Sequence, residues 1–211
     1  MKNPNVRITN RFMYVLRVYV VYRKLRGRYM LELKVDSEIV LKEIELFDAE
    51  DIFRLIDSDR ENLRIWLSFV DSTKELFDTE DFIKSILFLP EEIRDFVTVI
   101  IYKGQKIGLI GFKLTDFVNK KTEIGYWISK EFENKGIVTK SIIKMIDYAL
   151  DTLELNRIQI KCAIGNEKSS KIPKKLNFKF EGIERSAELL NGKFIDAEVY
   201  SILKDEWNSK N

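Results

Sequence analysis

Residues 123–139 read EIGYWISKEFENKGIVT, and residues 140–178 continue KSIIKMIDYALDTLELNRIQIKCAIGNEKSSKIPKKLNF. The run at 123–128 is apolar and β-prone, whereas residues 135–153 place apolar side chains at helical spacing. Residues 157–164 then alternate apolar and polar side chains, as a half-buried strand does. This order predicts a strand, a helix and a second strand, which together form a crossover connection within one sheet.

The turn at 134–139 opens the predicted helix and contains Gly136. The start of a helix leaves several backbone N–H groups without partners at the positive end of the helix dipole, and a glycine lets an anion approach them closely. A Walker-type loop needs a second glycine followed by Lys and Ser or Thr, and a dinucleotide fingerprint needs three glycines; this turn has neither pattern. By itself the turn therefore predicts only an anion site.

Hydrophobic spacing divides the rest of the chain into further β-prone and helical segments. Strands are predicted at 39–46, 96–102, 106–114, 178–190 and 193–203, one or two helices at 52–67, and single helices at 79–87 and 166–176. The glycine-containing turns at 103–105 and 191–192 predict two hairpins. We therefore expect an α+β fold, with a mixed, mostly antiparallel twisted sheet, flanking helices and the strand-helix-strand crossover.

Three residues are predicted to shape the ends of helices. Pro90 ends the helix at 79–87, because proline lacks a backbone N–H. For the same reason, Pro173 indicates that the helix at 166–176 starts late or kinks. Asn177 stands where a left-handed C-terminal cap is expected, a conformation that Gly adopts best and Asn next best.

The composition bounds the chemistry. The 211 residues are 45% apolar and contain no long linker, so we expect one domain over residues 30–211. Histidine is absent, which excludes a Ser-His-Asp triad, a Cys-His pair and a histidine zinc site, and we expect no metal. Proton transfer must then use carboxylates, Tyr, Cys, Lys or water. Cys162 is the only cysteine, so an internal disulfide is excluded and a reducing cytoplasmic location is expected.

Residues 1–29 form a basic leader with eight Lys or Arg and no Asp or Glu; because the whole chain has a net charge of +2, the remainder carries −6. The leader's apolar run at 12–22 is interrupted by Arg17 and is shorter than the roughly 20 residues that span a bilayer. Three interpretations stay open. Met30 is the working start, or the leader is a basic arm that contacts RNA, a ribosome or an anionic membrane surface, or it is an ordinary packed extension.

Seven short motifs follow one another in a characteristic order. They are GYWI at 125–128, NKGIVT at 134–139, LNRI at 155–158, NEKS at 166–169, LNF at 176–178, EG at 181–182 and YS at 200–201. Over roughly residues 31–207 the chain resembles the GNAT acyltransferase superfamily and, within it, the branch of ribosomal-protein N-terminal (serine/alanine) acetyltransferases. The resemblance implies a GNAT-like α+β fold and an N-acetyltransferase that moves an acetyl group from acetyl-CoA to a primary amine.

The resemblance also implies where acetyl-CoA binds, with the pyrophosphate on the backbone of residues 135–140 and the pantetheine arm between two splayed strands. The implied cofactor-binding residues are Trp127, Ile128, Lys135, Gly136, Ile137, Val138, Thr139, Lys140, Asn166 and Ser169. Two positions depart from the family pattern, since Glu133 stands where Gln or Arg is usual and Asn134 where a second Gly is frequent. Glu133 would repel the pyrophosphate unless it turns outward or Lys135 screens it.

Acetyl transfer to an amine needs a base for the amine, a donor for the oxyanion and an acid for the departing thiolate. The resemblance implies Glu188 as the base, acting through water; the alternative is a solvated glutamate beside a hairpin. It implies Ser169 as the acid that faces the CoA sulfur, although Asn166 and Ser169 are also residue types that cap helices. Backbone N–H groups at 127–128, where the family strand bulges, would hold the oxyanion.

Two other side chains are candidates for a chemical role. Cys162 lies on the apolar face of an alternating strand and is interpreted as a core residue, with a covalent acetyl-cysteine route as the alternative. Tyr200 is an alternative acid or a packing residue of the last strand.

An α-amine, with a pKa of about 7.7–8.0, loses its proton more readily than a lysine at about 10.4, which favours a protein N-terminus as acceptor. The implied acceptor residues are Trp66, Leu67 and Tyr126; for Trp66 the alternative is a core position. Acidic residues at 48–61 would attract a cationic amine. The alternative functions are acetylation of a polyamine, amino sugar or amino acid, and a non-catalytic acyl-CoA-binding or ribosome-associated module. A monomer or a homodimer is expected.

Overall fold

The computed structural model describes residues 31–89 and 95–209. The basic leader at 1–29 and Pro90 lie outside the described residues, so what was expected of them stays a prediction. The strands of the described chain are β1 (Glu32–Lys34), β2 (Ile39–Glu43), β3 (Phe96–Tyr102), β4 (Gln105–Asp116), β5 (Lys121–Ile128), β6 (Arg157–Ala163), β7 (Lys179–Leu190) and β8 (Lys193–Leu203). They form one sheet in the order β1-β2-β3-β4-β5-β6-β8-β7. Among these neighbours β5 and β6 are parallel and the others antiparallel, which confirms the predicted mixed sheet.

Helices flank this sheet. In the described chain they are α1 (Ala49–Ser58), α2 (Arg60–Leu63), α3 (Leu76–Leu87), α4 (Ile137–Asp147), α5 (Glu167–Lys175) and α6 (Lys204–Asn208). Short 3-10 turns cover Leu46–Asp48, Ser68–Asp71 and Lys130–Phe132, and a π-helical segment at Tyr148–Thr152 continues α4. Because α4 connects the parallel strands β5 and β6, the predicted crossover is confirmed. None of the helices in the described part of the chain has the length and apolar character needed to cross a membrane.

Side-chain caps move two boundaries away from the predicted ones. The strand predicted to reach 46 ends at Glu43, because the Asp48 carboxylate accepts the Glu45 N–H at 2.8 Å and opens a 3-10 turn. The helix predicted from 79 begins at Leu76, where the Asp78 carboxylate accepts backbone N–H groups of the preceding turn.

The two predicted hairpins are confirmed. Lys103 and Gly104 have φ angles of 51° and 81°, and Asn191 and Gly192 have φ angles of 50° and 76°. Two consecutive left-handed residues form a turn whose twist suits the right-handed twist of the strands. Asn177 has a φ of 58°, which confirms the left-handed cap.

The sheet separates two hydrophobic layers, as β4 shows. Leu109 and Phe112 lie an odd number of residues apart on β4, so their side chains point to opposite faces. Leu109 packs in a buried cluster with Ile52 of α1 and Ile83 of α3. Phe112 stacks on Tyr148 at the end of α4, with ring centroids 6.4 Å apart. The sheet therefore lies between α1 and α3 on one face and α4 on the other.

Glu181 ties three strands together. The Arg157 guanidinium donates hydrogen bonds of 2.6 and 2.5 Å to the Glu181 carboxylate, and Ser201 Oγ donates a third at 2.7 Å. The hydrogen bonds from Arg157 lower the pKa of Glu181 from 4.5 to about 2, because they favour the charged carboxylate. This contribution to stability is therefore complete above about pH 4.5 and is lost as the pH falls toward 2.

We expect Glu181→Gln to unfold at a lower urea concentration than the wild type at neutral pH, and to lose less additional stability between about pH 4.5 and the lowest pH tested. The urea midpoint of each protein is measured at successive pH values, with circular dichroism as the probe of unfolding. Glu167→Gln is the matched control, because the Glu167 side chain is 83% exposed, and it should follow the wild-type curve. Parallel pH curves for Glu181→Gln and the wild type would contradict the prediction.

Candidate active site

A cleft opens where β5 and β6 separate. The two strands pair only over residues 121–123 of β5 and 157–159 of β6 in the described register. Beyond this point a cleft of about 720 Å³ lies between them, with Trp127 and Ile128 on one wall and Asn166 and Ser169 on the other. The two splayed strands expected from the sequence are therefore present.

The turn before α4 contains two left-handed residues. Asn134 has a φ of 60° and Gly136 a φ of 75°, and Gly136 is the N-cap, so α4 begins at Ile137 rather than at 135. Apart from Gly136 and its two chain neighbours, no described residue has an atom within 4 Å of the place that a Cβ on Gly136 would take. Ile137, Val138 and Thr139 line the cleft, and helix geometry leaves their N–H groups without intrahelical acceptors. This end of the cleft is therefore suited to an anion.

The two lysines implied for the cofactor direct their side chains to other partners. Lys135 Nζ lies 4.9 Å from the centroid of the Phe132 ring, and Lys140 Nζ lies 2.7 Å from the Asp36 carboxylate. The Lys140 N–H donates to the Gly136 carbonyl at 3.1 Å. The turn therefore offers the first-turn backbone, rather than lysine side chains, to an anion.

Glu133 lines the cleft and forms an ion pair with Lys168 of α5, which lines the opposite wall. Of the two conditions stated for Glu133, neither is met, because the side chain lines the cleft and the Lys135 ammonium lies over the Phe132 ring; Lys168 reaches the carboxylate instead. A carboxylate in the cleft is thus neutralised from across the cleft.

The open edge of β5 supplies a backbone donor. The Ser129 N–H donates to a β4 carbonyl at 2.9 Å, and the backbone groups of a strand alternate between its two sides. The Ile128 N–H therefore points to the cleft, whereas the Trp127 N–H points to β4. The register with β4 is unbroken over residues 123–128, so the bulge expected at 127–128 is wrong for this chain.

Ser169 is the centre of a hydrogen-bond network in the cleft. Its N–H donates to Asn166 Oδ1 at 3.2 Å, so Asn166 caps α5. Its Oγ lies 3.0 Å from the Tyr126 hydroxyl and 3.3 Å from Cys162 Sγ. The cap uses the backbone of Ser169 and leaves the hydroxyl to Tyr126 and Cys162, so a capping role and a catalytic role are compatible.

Pro173 explains why the Ser169 carbonyl is accessible to Tyr126. Of the two alternatives predicted for Pro173, a late start or a kink, the late start is wrong, because α5 runs from Glu167 to Lys175 with Pro173 inside it. In a regular helix the N–H four residues later bonds to the Ser169 carbonyl, and proline has none. The Tyr126 hydroxyl donates to that carbonyl instead, at 3.3 Å, and so ties α5 to β5.

Burial keeps the phenol and the thiol beside Ser169 protonated. It raises the pKa of Tyr126 well above its ordinary 10.0 and raises the pKa of Cys162 from 9.0 to about 11. Cys162 is 2% exposed, which confirms its interpretation as a core residue. A covalent acetyl-cysteine route would start from a thiol that is almost wholly protonated at neutral pH.

The segment after α2 brings the implied acceptor residues to the cleft. Trp66 and Leu67 line it together with Tyr126 of β5. Cη2 of Trp66 lies 3.8 Å from the place that a Cβ on Gly165 would take, so the indole reaches the opposite wall. The three residues that the resemblance implies for the acceptor therefore line one cleft.

Glu188 lies at the rim, outside the lining that the described residues form. Its Oε1 accepts a hydrogen bond from Ser68 Oγ at 3.1 Å, and Ser68 follows Leu67 directly. A register shift in β7 just before Glu188 marks a bulge that re-aims the strand. Asn191 Nδ2 donates to the Arg64 carbonyl at 3.0 Å, so the β7–β8 hairpin holds Glu188 beside the acceptor segment.

Tyr200 does not reach the cleft. It is 2% exposed, and its hydroxyl donates to Glu198 at 2.7 Å. It lines a separate depression with Phe178 and Phe180. The structure therefore gives Tyr200 a packing position rather than the position of an acid.

Three lysines of α5 line the cleft although the sequence reasoning did not select them. Lys168, Lys171 and Lys175 stand three and four residues apart, a spacing that places side chains on one face of a helix. That spacing was the signal that could have found them.

The model of the family described as Acetyltransferase (GNAT) domain matches residues 38–179. The Putative ribosomal N-acetyltransferase YdaF of Bacillus subtilis (strain 168) is 37% identical over 187 residues, which cover 86% of this chain and 100% of the relative. The Ribosomal-protein-serine acetyltransferase of Escherichia coli (strain K12) is 26% identical, and the alignment covers 82% of this chain and 97% of the relative. The crystal structure of the microcin C7 self immunity acetyltransferase MccE in complex with acetyl-CoA and AMP is 32% identical, with a TM-score of 0.77, and covers 81% of this chain and 94% of that chain.

The matched region contains both strands that border the cleft, the turn before α4 and the Ser169 network. It extends over more than half of the chain. The chain therefore belongs to the GNAT acetyltransferase family and is an N-acetyltransferase.

Proposed function

We propose that this protein transfers the acetyl group of acetyl-CoA to the N-terminal α-amine of a protein, with a ribosomal protein as the acceptor. The observation that carries the proposal is the cleft between β5 and β6, which joins an anion-binding helix start to the Ser169–Tyr126 network. The names of the Bacillus subtilis and Escherichia coli relatives support a ribosomal acceptor. The bound acetyl-CoA in the MccE structure supports the donor.

The lining of the cleft fits a long anionic thioester. The N–H groups at 137–139 suit the pyrophosphate, and the open space at Gly136 lets it approach them. The unpaired edge of β5 beyond Glu123 suits the extended amide arm of the cofactor, since a strand edge offers backbone donors and acceptors.

Acetyl-CoA supplies an acyl carbon that the amine nitrogen attacks, so that a C–N bond forms and the C–S bond breaks. Glu188 accepts, through a water molecule, the proton that the ammonium group must lose. The Ile128 N–H donates to the acyl oxygen as negative charge develops on it. Ser169 gives a proton to the departing thiolate and regains, through water, the second proton that the nitrogen loses as the amide forms. Tyr126, which burial keeps protonated, holds the Ser169 hydroxyl in place.

The acidic segment at 48–61 attracts a polycation less than its composition suggests, because most of its carboxylates lie in ion pairs and one accepts a backbone hydrogen bond. The pairs are Asp48 and Asp51 with Lys106, Glu50 with Arg54, Asp57 with Arg60, Asp59 with the Lys130 N–H, and Glu61 with Arg64. This pairing supports a single α-amine over a polyamine, and the lower pKa of the α-amine supports it over a lysine.

The proposed function is tested by incubating the protein with acetyl-CoA and a panel of acceptors. The panel contains peptides that copy ribosomal-protein N-termini beginning with Ser or Ala, the same peptides with a blocked N-terminus and an internal lysine, and spermidine. Mass spectrometry should find the acetyl group on the α-amine of the unblocked peptides. Preferred acetylation of spermidine would favour the small-amine function, and CoA binding without any acetylation would favour a binding module.

Gly136→Ala is expected to raise the KM for acetyl-CoA by roughly tenfold. A residue with a side chain costs about 1–2 kcal/mol in the left-handed conformation, and the added methyl group occupies the approach to the first-turn N–H groups. Gly104→Ala is the matched control, because Gly104 has a φ of 81° and its Cβ position is likewise more than 4 Å from every described residue other than itself and its two chain neighbours. Gly104→Ala should lower stability without changing this KM; equal KM values for both variants would contradict the assignment.

A further inference from the structure

One face of α5 presents Lys168, Lys171 and Lys175 to the cleft, and we call this set the lysine row. The first turn of α4, whose N–H groups carry the positive end of a helix dipole, lines the same cleft. The cleft is therefore lined by ammonium groups on one element and by a helix start on another. A single phosphate group does not need two such sets of partners.

Lys174 of α5, which is adjacent to Lys175 in sequence, has a different environment. Lys174 Nζ lies 3.6 Å from the Glu198 carboxylate and 5.6 Å from the centroid of the Tyr200 ring. It belongs to the depression beside Tyr200 rather than to the cleft. Lys174 thus provides an internal comparison for the lysine row, with the same charge on the same helix.

Lys168 is engaged by Glu133 across the cleft. The Glu133 side chain is 19% exposed and the Lys168 side chain 60% exposed, so the carboxylate is the more enclosed partner. An enclosed carboxylate loses much of its hydration, which is unfavourable unless a cation neutralises it, and Lys168 supplies that cation. An anion that binds the lysine row must therefore take Lys168 from Glu133.

We propose that the lysine row binds the 3′-phosphate of coenzyme A, and that Lys168 exchanges Glu133 for this phosphate when the cofactor enters. The inference rests on the proposed use of acetyl-CoA as donor. In coenzyme A the ribose alone separates the 3′-phosphate from the pyrophosphate, so both groups fit within one cleft. The pyrophosphate takes the α4 turn, and the 3′-phosphate, a monoester with a charge of about −1.5 to −2, takes the ammonium groups.

The test is isothermal titration calorimetry with coenzyme A and with 3′-dephospho-coenzyme A, in the absence of any acceptor. We expect Lys168→Gln, Lys171→Gln and Lys175→Gln each to weaken coenzyme A binding by roughly 3- to 10-fold, as the loss of a charge-assisted hydrogen bond does. Binding of 3′-dephospho-coenzyme A should change by less than about twofold in these variants, because the affected phosphate is missing from it. Lys174→Gln should bind both ligands as the wild type does.

The exchange at Lys168 has its own signature. Glu133→Gln should bind coenzyme A several-fold more tightly than the wild type, because Lys168 no longer has to break an ion pair with Glu133 before it binds the phosphate. The gain in affinity should be larger for coenzyme A than for 3′-dephospho-coenzyme A. This extra gain should disappear in the double variant Glu133→Gln/Lys168→Gln. If the ratio of the affinities for coenzyme A and 3′-dephospho-coenzyme A is the same in Glu133→Gln as in the wild type, the proposed exchange is wrong.

The 3′-phosphate site would be overturned if the lysine-row variants lost affinity equally for the two ligands. It would also be overturned if Lys174→Gln lost as much affinity for coenzyme A as the lysine-row variants do. A wild type that binds both ligands equally well would overturn the same site and leave the proposed donor intact. A wild type that binds neither ligand would overturn the donor itself. The two failures are therefore distinguishable.

Discussion

Glu188→Gln is expected to lower kcat for acetylation of a peptide N-terminus by roughly 10²-fold or more. Glutamine keeps the shape of the side chain and can still accept the hydrogen bond from Ser68 Oγ, so the rim keeps its structure and loses only its base. The KM for acetyl-CoA should stay near the wild-type value, because Glu188 lies outside the cleft lining of the described residues. The measurement is steady-state kinetics with acetyl-CoA and a peptide that the wild type acetylates.

The pH dependence separates a base from a positioning group. In Glu188→Gln the rate should recover partly above about pH 8, because the α-amine then arrives deprotonated and needs no base. Glu184→Gln is the matched control on the same strand, since Glu184 pairs with Lys161 at 2.7 Å, and its rates should equal those of the wild type. A wild-type kcat in Glu188→Gln would remove Glu188 from the mechanism.

Ser169→Ala is expected to lower kcat by roughly 10²-fold, with little change in the affinity for coenzyme A or in thermal stability. Alanine keeps the backbone N–H that donates to Asn166 Oδ1, so the cap of α5 survives. What is lost is the hydroxyl that lies 3.0 Å from the Tyr126 hydroxyl, and with it the proton for the departing thiolate. Single-turnover kinetics together with calorimetry of coenzyme A separates the two effects.

Ser170→Ala serves as the control for packing, because Ser170 is the next residue of α5 and is 6% exposed. It should keep the wild-type kcat. Tyr126→Phe should lower kcat in the same direction as Ser169→Ala but by less, because the serine hydroxyl remains and only loses its partner. If Ser170→Ala loses as much activity as Ser169→Ala, the effect belongs to helix packing and the acid assignment is wrong.

Features set by neighbouring residues were predicted well. Asn191-Gly192 defines a two-residue hairpin because two left-handed residues turn the chain in the same way whatever surrounds them. The short strand β1 was not predicted, because three residues with one buried side chain carry little pattern of their own. Glu32–Lys34 becomes a strand because β2 lies beside it and supplies its hydrogen-bond partners.

The candidate site was predictable to the extent that it depends on local backbone geometry. The anion-binding turn followed from Gly136 at the start of a helix, and its φ of 75° agrees with that reading. The side-chain partners did not follow. Lys135 is adjacent to Gly136 and looked like the screen for Glu133, yet its side chain lies over the Phe132 ring.

The sequence by itself determined the chemical repertoire: with no histidine, acid–base chemistry falls to carboxylates, tyrosine, cysteine, lysine and water. It also placed a proline where the Ser169 carbonyl loses its helical partner. Only the tertiary structure decided which distant groups meet, such as Tyr126 with Ser169, 43 residues apart, and Glu133 with Lys168, 35 residues apart. The physical reason is that local backbone preferences act within a few residues, whereas these contacts depend on where β5 and β6 stop pairing and on how α5 packs across the opening.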